Sequence, residues 1–142
     1  MIHIEKIETP EQIRAAFRVV QALRPHINDP ERMVEQVLRQ MEAGYQMVGI
    51  REGAEYVSYT GFRFCEFLAW GKVIYIDDLS TLPETRGKGY GAALLDYVKD
   101  LAIQHGCDGV HLDTGYSRHD AHRLYLNKGY TLNCHHMMVA LK

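Results

Sequence analysis

Nowhere in this chain do about 18 apolar residues run together, so no membrane-spanning helix is expected. Cysteine is scarce. Cys65, Cys107 and Cys134 are widely spaced, odd in number and without a C-x-x-C pair, which argues against a disulfide framework and for reduced thiols in a cytoplasm. No neighbouring residue marks any of them as an activated nucleophile. A surplus of one charge is also missing. The net charge of -2 argues against nucleic-acid binding driven by bulk electrostatics, while leaving room for a local basic pocket. The opening "MIHIEKIETPEQ" carries Glu5 and Glu8 and no long apolar block, so no signal peptide is expected. Linkers, repeats and low-complexity segments are lacking as well. What remains is 142 residues, 46% hydrophobic and 24% charged, which fits one soluble globular domain over residues 1–142.

The hydrophobic period changes along the chain. "MIHIEKI" alternates and reads as a strand. Thr9-Pro10-Glu11-Gln12 then provides an N-cap, a proline at the first helical position and a glutamine closing a capping box. Ile13, Ala16, Phe17, Val20 and Leu23 follow at helical spacing until Pro25. Asp29-Pro30 opens a second helix with Met33, Val34, Val37, Leu38 and Met41 on one face, ended by Gly44. "YQMVGIRE", "YVSYTGFRFCEFLA" and "KVIYIDDLSTL", separated by turns at Gly53 and Gly71, read as an antiparallel meander. A glycine-rich loop leads into a helix with Leu94, Leu95, Val98, Leu101 and Ala102 inward, closed by His105-Gly106. "GVHLDTG" reads as a strand, Ser117 and Asp120 as a capped helix start, and "YTLNCHHMMVALK" as one or two final strands. The order predicts an α/β domain with a mixed sheet of six or seven strands and four helices.

Residues Arg86, Gly87, Lys88, Gly89, Tyr90 and Gly91 form a stretch suited to an anion. Consecutive amides at a helix start, helped by the helix dipole, hold phosphates, and glycines let the backbone approach without Cβ clashes. The stretch is not a P-loop, because Gly91 is followed by Ala92 and the lysine sits between glycines. Gly87-x-Gly89-x-x-Ala92 mimics a dinucleotide fingerprint, with Asp113 after the next strand. That fold, an NAD(P)-dependent oxidoreductase, needs further parallel units for which the remaining chain is too short.

The run from Leu79 to Gly91, "LSTLPETRGKGYG", resembles the acetyl-CoA motif Q/R-x-x-G-x-G/A of the GCN5-related N-acetyltransferase (GNAT) family. "AHRLYLNKGY", from Ala121 to Tyr130, is similar to that family's second motif, A-x-x-L/F-Y-x-x-x-G-F/Y. The two motifs stand in the family's order and separation. Arg118 departs from it, where an asparagine is frequent.

The resemblance implies a GNAT-like sheet splayed between strands four and five. It also implies an enzyme moving an acetyl group from acetyl-CoA to a primary amine by direct attack in a ternary complex. Under it, Arg86, Gly87, Lys88, Gly89, Tyr90, Gly91 and Ala92 hold the coenzyme pyrophosphate. Leu79, Ser80 and Thr81 hold the pantetheine arm through main-chain groups. A strand-four amide near Leu79 stabilises the oxyanion, and Tyr125 protonates the departing thiolate. Asp77 and Asp78 are candidates for the base or for binding the amine, with water as the alternative base. Strand alternation lets only one of them face a given side unless a bulge resets the phase. A homodimer is implied by analogy with family members. The contrasting reading is a non-catalytic acyl-CoA-binding sensor, which would not need a proton donor at sulfur.

Eight histidines invite a metal hypothesis. His119 and His122 are spaced i, i+3, and His135 and His136 are adjacent on an expected strand, so no ligand set converges and no metal is expected. Arg24 and His26, between the first two helices, are candidates for touching the acceptor amine. Trp70, at a strand turn, reads as packing.

Overall fold

The computed structural model describes every residue except Tyr116 and Ser117, and of His119 the backbone alone. The described chain divides into two compact units, Met1–Leu112 and Asp113–Lys142. The capped helix start expected at Ser117 lies outside the described residues.

The first unit holds strand β1 (Glu5–Ile7), helices α1 (Pro10–Arg14), α2 (Phe17–Leu23) and α3 (Pro30–Glu42), and strands β2 (Gln46–Glu52), β3 (Glu55–Phe67) and β4 (Gly71–Thr81). A 3-10 turn (Pro83–Thr85), helix α4 (Tyr90–Gln104) and strand β5 (Gly109–Leu112) complete it. The sheet order is β1-β2-β3-β4-β5, antiparallel up to β4 and parallel between β4 and β5. Among the described residues the second unit holds helix α5 (His119–Asn127).

The local signals act as the sequence suggests in most places. Thr9 caps α1 with the full reciprocal box to Gln12. Asp29 caps α3 through the amides of Glu31 and Arg32. The expected first helix is broken, however. The Ala15 carbonyl accepts the Tyr56 amide of β3 at 3.0 Å, which takes it out of the helical ladder, and α2 restarts with Val20 N–H to Ala16 O. Among the described residues five α-helices therefore stand where four were expected.

Ile7, Ile13, Ala16, Val19, Val20, Met33, Val34 and Val37 pack with Tyr45, Met47, Val57 and Tyr59 into one core between α1–α3 and the sheet. Alternation turns Val48, Thr60 and Phe62 to the opposite face, where α4 packs on β3, β4 and β5 with Leu94, Leu95, Val98 and Ala102 buried. Two faces are thus covered, as a sheet with a parallel pair requires.

Among the described residues the sheet has five strands rather than six or seven. Residues 130–142 form no strand, and Leu132, Met137, Met138, Val139 and Leu141 are exposed. Expecting strands there relied on β-propensity, and propensity expresses itself only where a neighbouring strand supplies pairing and burial.

Candidate functional site

β4 is the organising element. Its pairing with β5 runs from Val73↔Gly109 to Ile76↔Leu112, and β4 then continues five residues further, to Thr81. On its other edge β4 stays bonded to β3, with Thr60↔Leu79, Tyr59↔Ser80 and Ser58↔Thr81. Among the described residues β4 has no strand partner on the β5 side along Asp77–Thr81, in keeping with the splay expected between strands four and five. Within it, the hydroxyls of Ser80 and Thr81 are spoken for. Ser80 Oγ donates to Val19 O at 2.8 Å, and the hydroxyls of Thr81 and Ser58 lie 2.7 Å apart. What Leu79–Thr81 can offer a ligand is main chain.

The glycine loop follows the 3-10 turn. Gly87 and Gly89 adopt φ of +85° and +83°, a left-handed conformation that L side chains rarely adopt, and a Cβ at either would meet nothing within 4 Å. The first α4 bond is Ala93 N–H to Gly89 O at 3.0 Å, so the amides of Tyr90, Gly91 and Ala92 lie ahead of the helical ladder. A backbone that needs glycine with open space before it fits the diphosphate of a coenzyme. Arg86 is exposed in this loop. Lys88 is committed elsewhere: its Nζ lies 2.8 Å from Glu52 Oε2, and the Tyr90 hydroxyl donates to the same oxygen at 2.6 Å. Those two bonds hold the Glu52 carboxyl below its ordinary range. Glu52 fastens the loop to β2, a role the sequence did not mark.

A cavity of 420 Å³ opens between α2, α3 and the sheet, lined among others by Arg24, His26, Tyr45, Tyr59, Tyr75, Asp77 and Asp78. Both acids line it. The reason is a bulge: Gly61 pairs with Asp78 and Phe62 with Ile76, leaving Asp77 as the extra residue. The bulge resets the strand phase, the exception under which both acids share one side.

Neither carboxylate is unengaged. Arg24 donates from Nε and Nη2 to Asp78 Oδ1 at 3.1 and 2.7 Å, and from Nη2 to the Asp77 carbonyl at 2.9 Å. Arg63 grips Asp77 in a fork, at 3.0 and 2.6 Å. Tyr45 donates to Asp78 Oδ2 at 2.7 Å. Burial pushes the Tyr45 hydroxyl well above the ordinary tyrosine range, with Asp78 adding to it, and Tyr59 is pushed the same way for the same two reasons. Burial pulls the Arg24 guanidinium down, but its bond to Asp78 and the carboxylate charge leave it raised overall. Tyr59 is 1% exposed and its hydroxyl makes no hydrogen bond among the described residues. Of these lining groups the sequence pointed to Arg24, His26 and the acids. Tyr45, Tyr59 and the partner Arg63 carried no motif.

In the second unit, Tyr125 is buried on α5 with its ring 5.9 Å from that of Tyr130. Burial raises its hydroxyl above the ordinary value, with Arg118 pulling slightly the other way, so it is protonated at neutral pH. Outside these elements, Trp70 stacks on His111 at 4.0 Å, the packing role expected of it.

The sequence profile of the acetyltransferase (GNAT) family matches residues 12–130. The chain is 30% identical to the uncharacterized N-acetyltransferase YhdJ of Bacillus subtilis (strain 168), over 93% of this chain and 94% of that one. It is 42% identical to the aminoalkylphosphonate N-acetyltransferase of Salmonella typhimurium over 39% of this chain and 36% of that one. A transcriptional regulator from Bacillus halodurans C-125 shares the fold, with a TM-score of 0.85, 18% identity and coverage of 99% and 100%. With motif, fold and full-length relative in agreement, the chain belongs to the GNAT family of N-acetyltransferases.

Proposed function

We propose that the protein transfers an acetyl group from acetyl-CoA to a primary amine by direct attack within a ternary complex. One observation carries this reading: a β4 edge left open beyond Ile76 runs into two left-handed glycines and the unspent amides of α4. An amide-rich pantetheine can pair with the main chain of Leu79, Ser80 and Thr81, and a diphosphate can take the amides from Gly87 to Ala92.

The acceptor enters by the Asp77–Asp78 cavity. The amine nitrogen bonds to the acetyl carbon, the carbon–sulfur bond breaks, and the electron pair leaves on sulfur. An amide near Leu79 supports the oxyanion, and the Tyr125 hydroxyl supplies a proton to the thiolate. Support for Tyr125 comes from its position in the second motif and its raised, protonated hydroxyl. The proton lost by the amine passes to water or to the Asp77–Asp78 pair. Since both acids are held by arginine, water is the favoured acceptor and the acids bind the ammonium. The amine-directed names of relatives, aminoalkylphosphonate among them, accord with an amine acceptor.

The test is thiol release from acetyl-CoA across a panel of amines, with calorimetry of acetyl-CoA binding alongside. Amine-dependent thiol release supports acyl transfer. Binding of acetyl-CoA with no thiol release from any amine would favour a sensor instead, and stabilisation by NAD(P) but not by acetyl-CoA would overturn both.

A further inference from the structure

The acids of the cavity suggest a polycationic acceptor until their partners are counted. Asp78 is matched by Arg24 and Asp77 by Arg63, so the two carboxylates bring no excess negative charge. A second ammonium would meet the Arg24 guanidinium without compensation. The groups left unspent have both signs. Arg24 uses Nε and Nη2 on Asp78 and on the Asp77 carbonyl, and its Nη1 makes no hydrogen bond among the described residues. Its side chain is 43% exposed and lines the cavity. The Tyr59 hydroxyl, on a residue 1% exposed, is likewise without a partner on the cavity wall. Each carboxylate retains lone pairs beyond those the arginines take.

We propose that the acceptor is a small zwitterion, an amine joined by a short carbon chain to a carboxylate or phosphonate. Its ammonium sits on the outer lone pairs of Asp77 and Asp78, with the Tyr59 hydroxyl beside it, and its anion sits on Arg24 Nη1. This ligand answers Arg24, Tyr59 and both carboxylates at once, whereas a simple alkylamine leaves the arginine unanswered and a diamine opposes it. The zwitterion also keeps the cavity neutral, so no uncompensated charge is carried into a partly desolvated space. Val20, Met33 and Met47 line the rest of the wall and suit the carbon chain.

The inference rests on acyl transfer at this cavity, and the experiment separates the two. The intact protein is assayed with β-alanine, γ-aminobutyrate and aminoethylphosphonate against n-butylamine and putrescine, and acetyl-CoA binding is measured by calorimetry. The zwitterions are expected to exceed n-butylamine in kcat/KM by about tenfold or more, the worth of one charge-assisted contact. The carboxylate and phosphonate arms identify the anion. Arg24→Gln should erase that preference and move the ratio toward putrescine, while Arg24→Lys restores part of it. If Arg24→Gln does not fold, Arg24→Lys alone reads the ratio, and Tyr59→Phe should lower kcat/KM for every amine alike. A wild type that acetylates n-butylamine or putrescine as well as any zwitterion overturns this inference and leaves acyl transfer standing. So does a zwitterion preference that neither Arg24 substitution changes. Failure to bind acetyl-CoA overturns both readings together.

Discussion

Tyr45 reaches across the bare backbone of Gly61 to donate its hydroxyl hydrogen to Asp78 Oδ2, at 2.7 Å. Gly61 pairs with Met47 on one side and with Asp78 on the other, so the tyrosine crosses a full strand to make the bond. A Cβ on Gly61 would stand 1.8 Å from the Tyr45 hydroxyl oxygen and 2.3 Å from Cζ. Gly61→Ala should therefore drive the ring off Asp78 and cost about 1–3 kcal/mol. Denaturant unfolding measures the loss, and a neutral result would mean the ring has room to move.

Asp78 is the joint where α2, β2 and β4 meet. Asp78→Ala leaves the buried Tyr45 hydroxyl without its acceptor and Arg24 with the Asp77 carbonyl alone. With Arg24 partly solvated, the expected loss is about 1–3 kcal/mol, most of it from the phenol. Asp77→Ala strands Arg63 on the rim and should cost less. Equal losses by chemical denaturation would contradict the ranking.

Gly87→Ala and Gly89→Ala should separate strain from sterics. Space is open at both positions, so the cost is the left-handed backbone, about 1–2 kcal/mol each. If the loop relaxes to relieve it, the KM for acetyl-CoA rises while the KM for the amine moves little. A melting temperature and two KM values decide.

Tyr125→Phe should lower kcat by roughly 10²–10⁴-fold if the hydroxyl is the proton donor. The pH profile gives a second check. A general acid works while protonated, and burial raises the Tyr125 value above that of a free phenol. Activity limited by this group is therefore flat through neutral pH and falls only above the ordinary tyrosine value of about 10. A decline beginning near neutrality would assign the limb to another group.

Thr9→Ala removes one half of the α1 capping box and should cost about 1 kcal/mol without altering either KM. Urea unfolding and steady-state rates test both halves of that statement.

The meander, the capped helices and the glycine loop were legible because each rests on residues close in sequence. Thr9 with Gln12, Asp29 with Pro30, and Gly87 with Gly89 each state their conformation locally. The break between α1 and α2 was not legible, since the Tyr56 amide that claims the Ala15 carbonyl lies some forty residues away along the chain. The acid pair was visible, but its common direction was not. Whether Asp77 and Asp78 share a side depends on how β4 registers against Gly61 and Phe62 of β3. Arg63 and Tyr45 were silent for the same reason: each matters only through a neighbour brought in by the sheet. Glu52 reads as an ordinary strand-end acid until Lys88 and Tyr90 arrive beside it.

The extra residue in β4 makes the cleft sensitive to chain length and not only to side-chain identity. Excising Asp77 would keep an aspartate next to Leu79 and leave the local composition nearly intact. Yet the restored two-residue rhythm would swing one of Tyr75 and the surviving acid toward the layer under α4, amid Leu94 and Val98. Relatives missing one position there would keep the fold and lose this arrangement of charge, so an indel at that point should accompany a change of acceptor.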